Sequence, residues 1–334
     1  MAGDRSRRSR ATAVWLVVVA ALILAMVVVG GATRVTGSGL SITQWKPVSG
    51  VIPPLGDVAW ERMFALYQAT PQYRLINRGM DLGQFQGIFW WEWSHRLLGR
   101  LLGLAFFAPF VVLLALRRVP RRLIGPCLLL FALGALQGLV GWWMVKSGLE
   151  ARTSVAPERL ATHLGLALAL FVAVIWTALE AWSGPAARTG RSPRWMWVSS
   201  LFLATVFIQC LLGALVAGNH AGLVDADWPL MAGRIIPADY WRGSLWASIV
   251  HGAAATQFNH RLWAYGLLAA GLALAIARRG PLTLAMAGLL LVQVGLGIAA
   301  LLLTVPLPLA ILHQFTAALI LALATTLAWR ARRR

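Results

Sequence analysis

Eight stretches of this chain are long and apolar enough to cross a lipid bilayer, and no other feature constrains its fold as strongly. A helix needs about 20 apolar residues for the crossing. The runs are roughly 11–30, 97–116, 123–144, 160–182, 195–217, 262–277, 282–304 and 307–329. The sixth is short as drawn, and a start further back, through 253–258, would complete it. The runs are continuous and do not alternate with period two, which excludes a β-barrel. Hydrophobic residues make up 59% of the chain and charged residues 12%. A soluble domain has about 45–50% and about 25%. Soluble globular, disordered and disulfide-framework classes are therefore excluded, and the expected fold is an all-α integral membrane protein with eight transmembrane helices. The two cysteines, Cys127 and Cys210, lie inside apolar runs and read as small buried hydrophobes.

The first run is not read as a cleaved signal. It is about 20 residues long, lacks a small-residue cleavage site and continues into 30–34. The segment before it is short and basic, unlike a long Ser-rich transit peptide. In a soluble chain the net charge of +19 would suggest nucleic acid. Here the charge sits between apolar runs, so it sets orientation and no nucleic-acid partner is expected. Seventeen of the 30 Lys and Arg fall on the side that holds both ends of the chain, opposed by Asp4 and Glu180 alone. By the excess of positive charge that side is cytoplasmic. Both termini are then inside, as an even number of spans requires. The long segments 31–93 and 218–255 lie outside, on the membrane surface.

The two halves repeat one another. SerHisArgLeuLeuGlyArg at 94–100 matches AsnHisArgLeuTrpAlaTyr at 259–265, and LeuGlnGlyLeuValGly at 136–141 matches ValGlnValGlyLeuGly at 292–297. A Gly-rich segment followed by Trp and Pro occurs at 30–39, Trp45 and Pro53, and again at 213–218, Trp228 and Pro237. Each half has an even number of spans, so the halves share one orientation. They are expected as tandem four-helix bundles, 1–190 and 191–334, related by a pseudo-twofold axis along the membrane normal.

Four of the six histidines fall on matched positions. His95 and His260 open the second spans of their units, and His163 and His313 open the fourth. An ionisable residue in a membrane is costly and is a functional candidate. Two imidazoles facing each other across a bundle suit haem iron. They suit zinc poorly, with no cysteine and few acids to complete a tetrahedron. Copper would need more ligands per site. Haem propionates need cations, and Arg96 and Arg261 directly follow His95 and His260. Arg34 and Arg100 are further candidates on the outer side; interfacial snorkelling is their alternative role. His220 and His251 have no matched partners and read as loop residues.

Glu92 breaks the symmetry. It lies three residues before His95, where the second half has Gln257 before His260. Residues at i and i+3 share a helix face. A carboxylate at a haem edge can move a proton or stabilise positive charge; its plainer reading is an ion pair with Arg96 or Arg100. The asymmetry assigns chemistry to the first unit and electron transfer to the second.

The segments 30–54 (GlyGlyAlaThrArgValThrGlySerGlyLeuSerIleThrGlnTrpLysProValSerGlyValIleProPro) and 85–100, with its Glu-x-x-His-Arg core, resemble haem A synthases. The resemblance covers essentially the whole chain. It implies oxidation of the C8 methyl of haem O, through an alcohol, to the formyl group of haem A for cytochrome oxidase. It further implies haem b on His260 and His313, substrate haem on His95 and His163, and Glu92 in catalysis. Some members carry a cysteine pair in the first outer loop. This chain has none there and resembles the branch of proteobacteria and mitochondria, which implies the bacterial inner membrane, with the haem sites toward the outer leaflet. Partners to consider are membrane lipid, a haem O synthase, an electron-transfer protein and a second copy of the chain. The competing readings are a membrane cytochrome b acting as electron carrier or quinol or ferric reductase, a parallel-repeat transporter, and an assembly subunit without chemistry.

Overall fold

The computed structural model describes residues 9–185 and 192–333. Arg5, Arg7, Arg8, Arg188, Arg191 and Arg334, which count toward the expected orientation, lie outside these residues, as does the boundary expected at 190/191. Ten α-helices occur among the described residues: α1 Arg10–Val35, α2 Asp57–Gln68, α3 Pro71–Leu75, α4 Leu82–Ala115, α5 Arg121–Glu150, α6 Pro157–Ser183, α7 Pro193–Gly218, α8 Ala253–Arg278, α9 Pro281–Leu302 and α10 Leu307–Ala331. All but α2 and α3 are long and apolar enough to span a membrane, and the protein is a multi-pass membrane protein. Valines and leucines such as Val17, Leu104, Leu129 and Leu201 remain exposed on the helix surfaces, as a lipid-facing bundle requires.

The helix ends follow from local chemistry. Proline occupies the first turn of α6, α7, α9 and α10, where its missing N–H costs nothing. The sixth span does begin at Ala253, as the short run suggested. The second span corrects the sequence reading. Its apolar run starts at 97, but α4 starts at Leu82. The Asp81 side chain accepts from the Gln84 N–H at 2.8 Å, and the Gln84 side chain accepts from the Asp81 N–H at 3.1 Å. This reciprocal cap begins the helix before its hydrophobic core. The 34 residues of α4 extend about 51 Å, against about 30 Å of hydrocarbon. The surplus turns carry Phe85 and Phe89 into an aromatic cluster with Tyr67, Trp60 and Phe64 of α2. His95 therefore sits well inside its helix and does not open it. Likewise α2 and α3 are helices within what the sequence suggested was loop.

Helix α1 packs on α4 and α6, and α5 packs on the same two; α8 packs on α7 and α9, and α10 on those two as well. Contacts of α6 with α7 and of α10 with α1 and α6 join the two sets. At the end of the molecule rich in arginine, Glu180 of α6 ties several helices together. Its Oε2 accepts from Arg122 Nη1 of α5 at 3.1 Å. Its Oε1 accepts from Trp329 Nε1 of α10 at 2.9 Å and from Arg333 Nη1 at 3.3 Å. Near the opposite end, Gln314 of α10 donates to the Val27 carbonyl of α1 at 3.0 Å and lies against Gly31, where a Cβ has no room.

Candidate functional site

The four matched histidines stand at one level. His95 lies 20 residues before the end of α4 and His163 lies 20 before the end of α6. His260 and His313 each lie 18 before the ends of α8 and α10. At 1.5 Å per residue each is about 27–30 Å from the basic end of its helix, one hydrocarbon thickness away. These are alternate spans and run in one direction, so the imidazoles share a layer near the opposite face.

Each imidazole lies against a glycine of the preceding span. A Cβ on Gly30 would stand 3.0 Å from His95 Cε1. The corresponding distances are 2.9 Å for Gly141 and His163, 3.2 Å for Gly213 and His260, and 3.0 Å for Gly297 and His313. Real Cβ atoms essentially never come as close as the Gly141 distance, and the other three are tighter than most real contacts, so glycine at each position lets the ring lie against the neighbouring helix without shifting it. The rings of His260 and His313 have centroids 6.4 Å apart, inclined at 71°. A metal sits about 2 Å from an imidazole nitrogen. With about 1 Å more from nitrogen to ring centre on each side, two axial imidazoles place their centroids roughly 6 Å apart. The pair therefore fits one iron between its rings. Among the described residues no three His, Cys, Asp or Glu gather as a bare ion requires. A porphyrin supplies its own four nitrogens and asks the protein for two. His260 and His313 fit haem on this ground.

Three of the histidines meet a glutamine one turn before the facing glycine, a contact not anticipated from the sequence. Gln137 Nε2 lies 3.2 Å from His163 Nδ1 and donates to the His163 carbonyl at 3.0 Å. Gln209 does the same at His260, at 3.1 Å from both atoms. Gln293 Nε2 lies 3.3 Å from His313 Nε2. The signal was present as Gln-x-x-x-Gly at 137–141, 209–213 and 293–297. Two of these had served only as repeat markers.

Glu92 is 2% exposed and fully paired. Oε2 accepts from the Ser41 hydroxyl at 2.7 Å and the Ile42 N–H at 2.8 Å. Oε1 accepts from Arg96 Nη2 at 2.6 Å and Nε at 3.1 Å. Arg96 also donates to the carbonyls of Ile42 and Gln44, at 2.8 and 3.1 Å. The pair thus fastens residues 41–44 of the first outer loop over α4. Gln257 and Arg261 fasten the second outer loop in the same way, with opposite polarity. Gln257 Nε2 donates to the carbonyls of Ala221 (2.8 Å) and Asp225 (3.2 Å), and Arg261 Nη2 donates to Gln257 Oε1 at 3.1 Å. Arg261 also donates to the carbonyls of Asp225, Asp227 and Leu230, each at 3.0 Å. The first loop presents donors to a carboxylate, and the second presents acceptors to an amide.

Arg100 donates to the carbonyls of Lys46 and Pro47, both at 2.8 Å, and its Nη1 is buried without a partner. Arg34 donates to the Ala217 carbonyl at 2.6 Å and lies 2.8 Å from His220 Nε2, with its Nε buried and unpartnered. His220 is thus a contact between α1 and the end of α7. Burial, and then the Arg34 guanidinium beside it, hold its imidazole below the ordinary range. His251 ends a π-helical turn, 247–251, and faces Glu158 at 4.0 Å. Cys127 and Cys210 are unpaired.

The family described as cytochrome oxidase assembly protein (COX15-CtaA) matches residues 13–325. A heme A synthase of Caulobacter sp. (strain K31) is 57% identical, with 98% of each chain covered. That of Caulobacter vibrioides is 54% identical, again over 98% of each. That of Paracoccus denitrificans is 46% identical over 95% of this chain and 86% of its own length.

Proposed function

This chain belongs to the haem A synthase family of cytochrome oxidase assembly proteins, and from that membership we propose that it converts haem O to haem A, oxidising the C8 methyl through an alcohol to a formyl group. The membership disfavours a plain electron-carrying cytochrome b. The first four spans, within 1–190, take the substrate haem on His95 and His163. The last four, within 191–334, take haem b on His260 and His313, as tandem units of like orientation. Haem b, when bound, supplies one-electron transfer.

The chain's own residues do the rest. The glycines opposite each histidine admit the ring against the neighbouring helix. Arg34 and Arg100 keep a buried N–H free and are the better placed cations for propionates. Arg96 and Arg261 commit their donors to loop carbonyls, so we assign them to holding the outer loops over the haem sites. Glu92 serves the first site as a proton acceptor at the porphyrin edge, with the Ser41 hydroxyl hydrogen-bonded to it as the relay. Substrate enters from the bilayer, in keeping with a lipophilic isoprenoid tail. The chain lies in the bacterial inner membrane with its termini cytoplasmic and the histidine layer toward the outer leaflet. The single observation that carries the division of labour is the buried Glu92 beside His95 where Gln257 stands beside His260.

The test is to express the chain in a bacterial membrane with a source of haem O, beside a control lacking the chain, and to separate the extracted haems by chromatography. Haem A or its hydroxylated precursor is expected only with the chain. Unchanged haem O in an aerated membrane that holds the folded, haem-loaded chain and a competent electron-transfer partner would overturn the reading.

A further inference from the structure

A groove away from the histidine layer runs where the two sets of helices meet. It lies between α6, α7 and α10 and holds about 460 Å³. Ala169 and Trp176 of α6, Ala204 and Ile208 of α7, and Arg332 at the end of α10 help to line it. Ala169, Ala204 and Ile208 are exposed, so the groove opens sideways to the bilayer. Its two ends fall on the levels of a single lipid leaflet. Ala169 lies 14 residues before the end of α6, and Ile208 lies 15 after the start of α7. At 1.5 Å per residue both stand about 21–23 Å from the basic end. That is half of a bilayer about 40–45 Å thick with its headgroups. The groove therefore runs from headgroup level to the midplane. At about 30 Å³ for a group the size of water, it has room for about 15 chain carbons, the size of one acyl chain.

Arg332 stands at the headgroup end. Its guanidinium carbon is 5.1 Å from the centre of the Trp176 ring, and cation–π attraction keeps it over the mouth of the groove. Glu180, the one acid at this end among the described residues, is engaged by Arg122 and Arg333. Arg332 keeps its donors for another anion. A small anion would leave the apolar groove empty, and a neutral chain would leave the cation unmatched. An amphiphile with a negative head satisfies both. We propose that the groove is a binding site for one anionic phospholipid, with its phosphate on Arg332 and one acyl chain between α6, α7 and α10. Basic pockets between membrane helices take such headgroups on the cytoplasmic side, the side to which the excess of arginine assigns this end. Helix α6 belongs to the first set of helices, and α7 and α10 belong to the second. The lipid fills the seam between the sets and braces one on the other.

The test uses the full chain, purified in a neutral detergent and washed free of lipid, with bound lipid counted by native mass spectrometry. The probes are phosphatidylglycerol and phosphatidylcholine with the same acyl chains, and inorganic phosphate alone. Wild type should retain one phosphatidylglycerol in preference to phosphatidylcholine, and its denaturation midpoint should rise with phosphatidylglycerol. Arg332→Gln should weaken phosphatidylglycerol binding about fivefold, as expected for one arginine near the membrane surface, and leave phosphatidylcholine unchanged. Arg330→Gln removes an arginine that does not line the groove and should match wild type. Ala204→Trp, which fills the groove from its open side, should lose both lipids. Its midpoint in detergent alone reports whether it folds, and Arg332→Gln, at an exposed helix end, decides the matter if it does not. Equal retention of the two lipids, or an equal loss in Arg330→Gln, would mean diffuse charge without a site. Phosphatidylglycerol retained by folded Ala204→Trp would place the acyl chain elsewhere. A midpoint rise with inorganic phosphate alone would make Arg332 a simple anion site. Each of these results overturns the proposal.

Discussion

Replacing Glu92 by Gln tests whether the carboxylate is matched to its loop as closely as the distances suggest. The substitution preserves shape and keeps one oxygen for Arg96. It replaces the other oxygen, which accepts from Ser41 and Ile42, with an NH2. The Ser41 hydroxyl can rotate and accept. The Ile42 N–H cannot, and it then faces a donor in a buried place. An unsatisfied buried donor costs about 1–3 kcal/mol. Loss of the charge opposite Arg96 adds to this, although removing a partner from a buried pair costs about 3–5 kcal/mol only when the remaining charge is stranded. Arg96 keeps two carbonyls and some solvent contact. A total near 2–4 kcal/mol follows. Thermal denaturation of the purified protein in detergent should therefore show a clear fall in midpoint, and limited proteolysis should open first within 38–46. Ser41→Ala keeps the acid and removes one donor, so it should give a smaller fall of about 1 kcal/mol. Gln257→Glu, which would set a carboxylate against two carbonyls, should also destabilise. A Glu92→Gln protein with wild-type midpoint and proteolytic pattern would refute the matching of loop to side chain. Glu92 would then have only its proposed part in the reaction.

Gly141→Ala should reduce haem content, since its methyl would lie 2.9 Å from His163 Cε1; overpacking of this kind costs about 1–3 kcal/mol. Gly138→Ala, three residues away with open space at its Cβ, should leave the haem-to-protein ratio unchanged. Glu180→Gln should lower the denaturation midpoint modestly, by about 1 kcal/mol given its partial exposure, without altering haem content. The pKa of His220 is depressed in the fold, so its share of stability is complete above its unfolded value near 6.5 and falls as the pH drops below that. Denaturation midpoints measured from pH 7 to pH 5 should therefore fall less in His220→Gln than in wild type.

The spans were legible because a bilayer demands a run of apolar residues, and that demand is local in sequence. The start of α4 was not, because the turns from Leu82 owe their helix to a cap and to aromatic packing on α2 rather than to aliphatic residues. The layer of four histidines followed from register alone. The work of Arg96 and Arg261 did not. Their partners are backbone carbonyls some 30–54 residues away, and a main-chain acceptor leaves no mark in the sequence. The glutamines were visible as letters, but their contact with the rings depends on which face of α5, α7 and α9 turns inward. That is settled by packing between helices of weak amphipathic character.

Gly30 and Gly31 are neighbours in the chain, yet they touch different halves of the molecule. Gly30 lies under His95, and Gly31 lies under Gln314, the residue after His313. Consecutive residues on a helix point about 100° apart. A rotation of α1 that relieved crowding at one glycine would therefore drive the other into its neighbour. Helix α1 works as a spindle locked from two sides, with its angular setting fixed by two missing side chains. The same dipeptide forms a short bridge of bonds and contacts from His95 to His313. An electron passing between the two proposed haem sites would have this seam as a path, and its length is set by how closely two glycines let three helices meet.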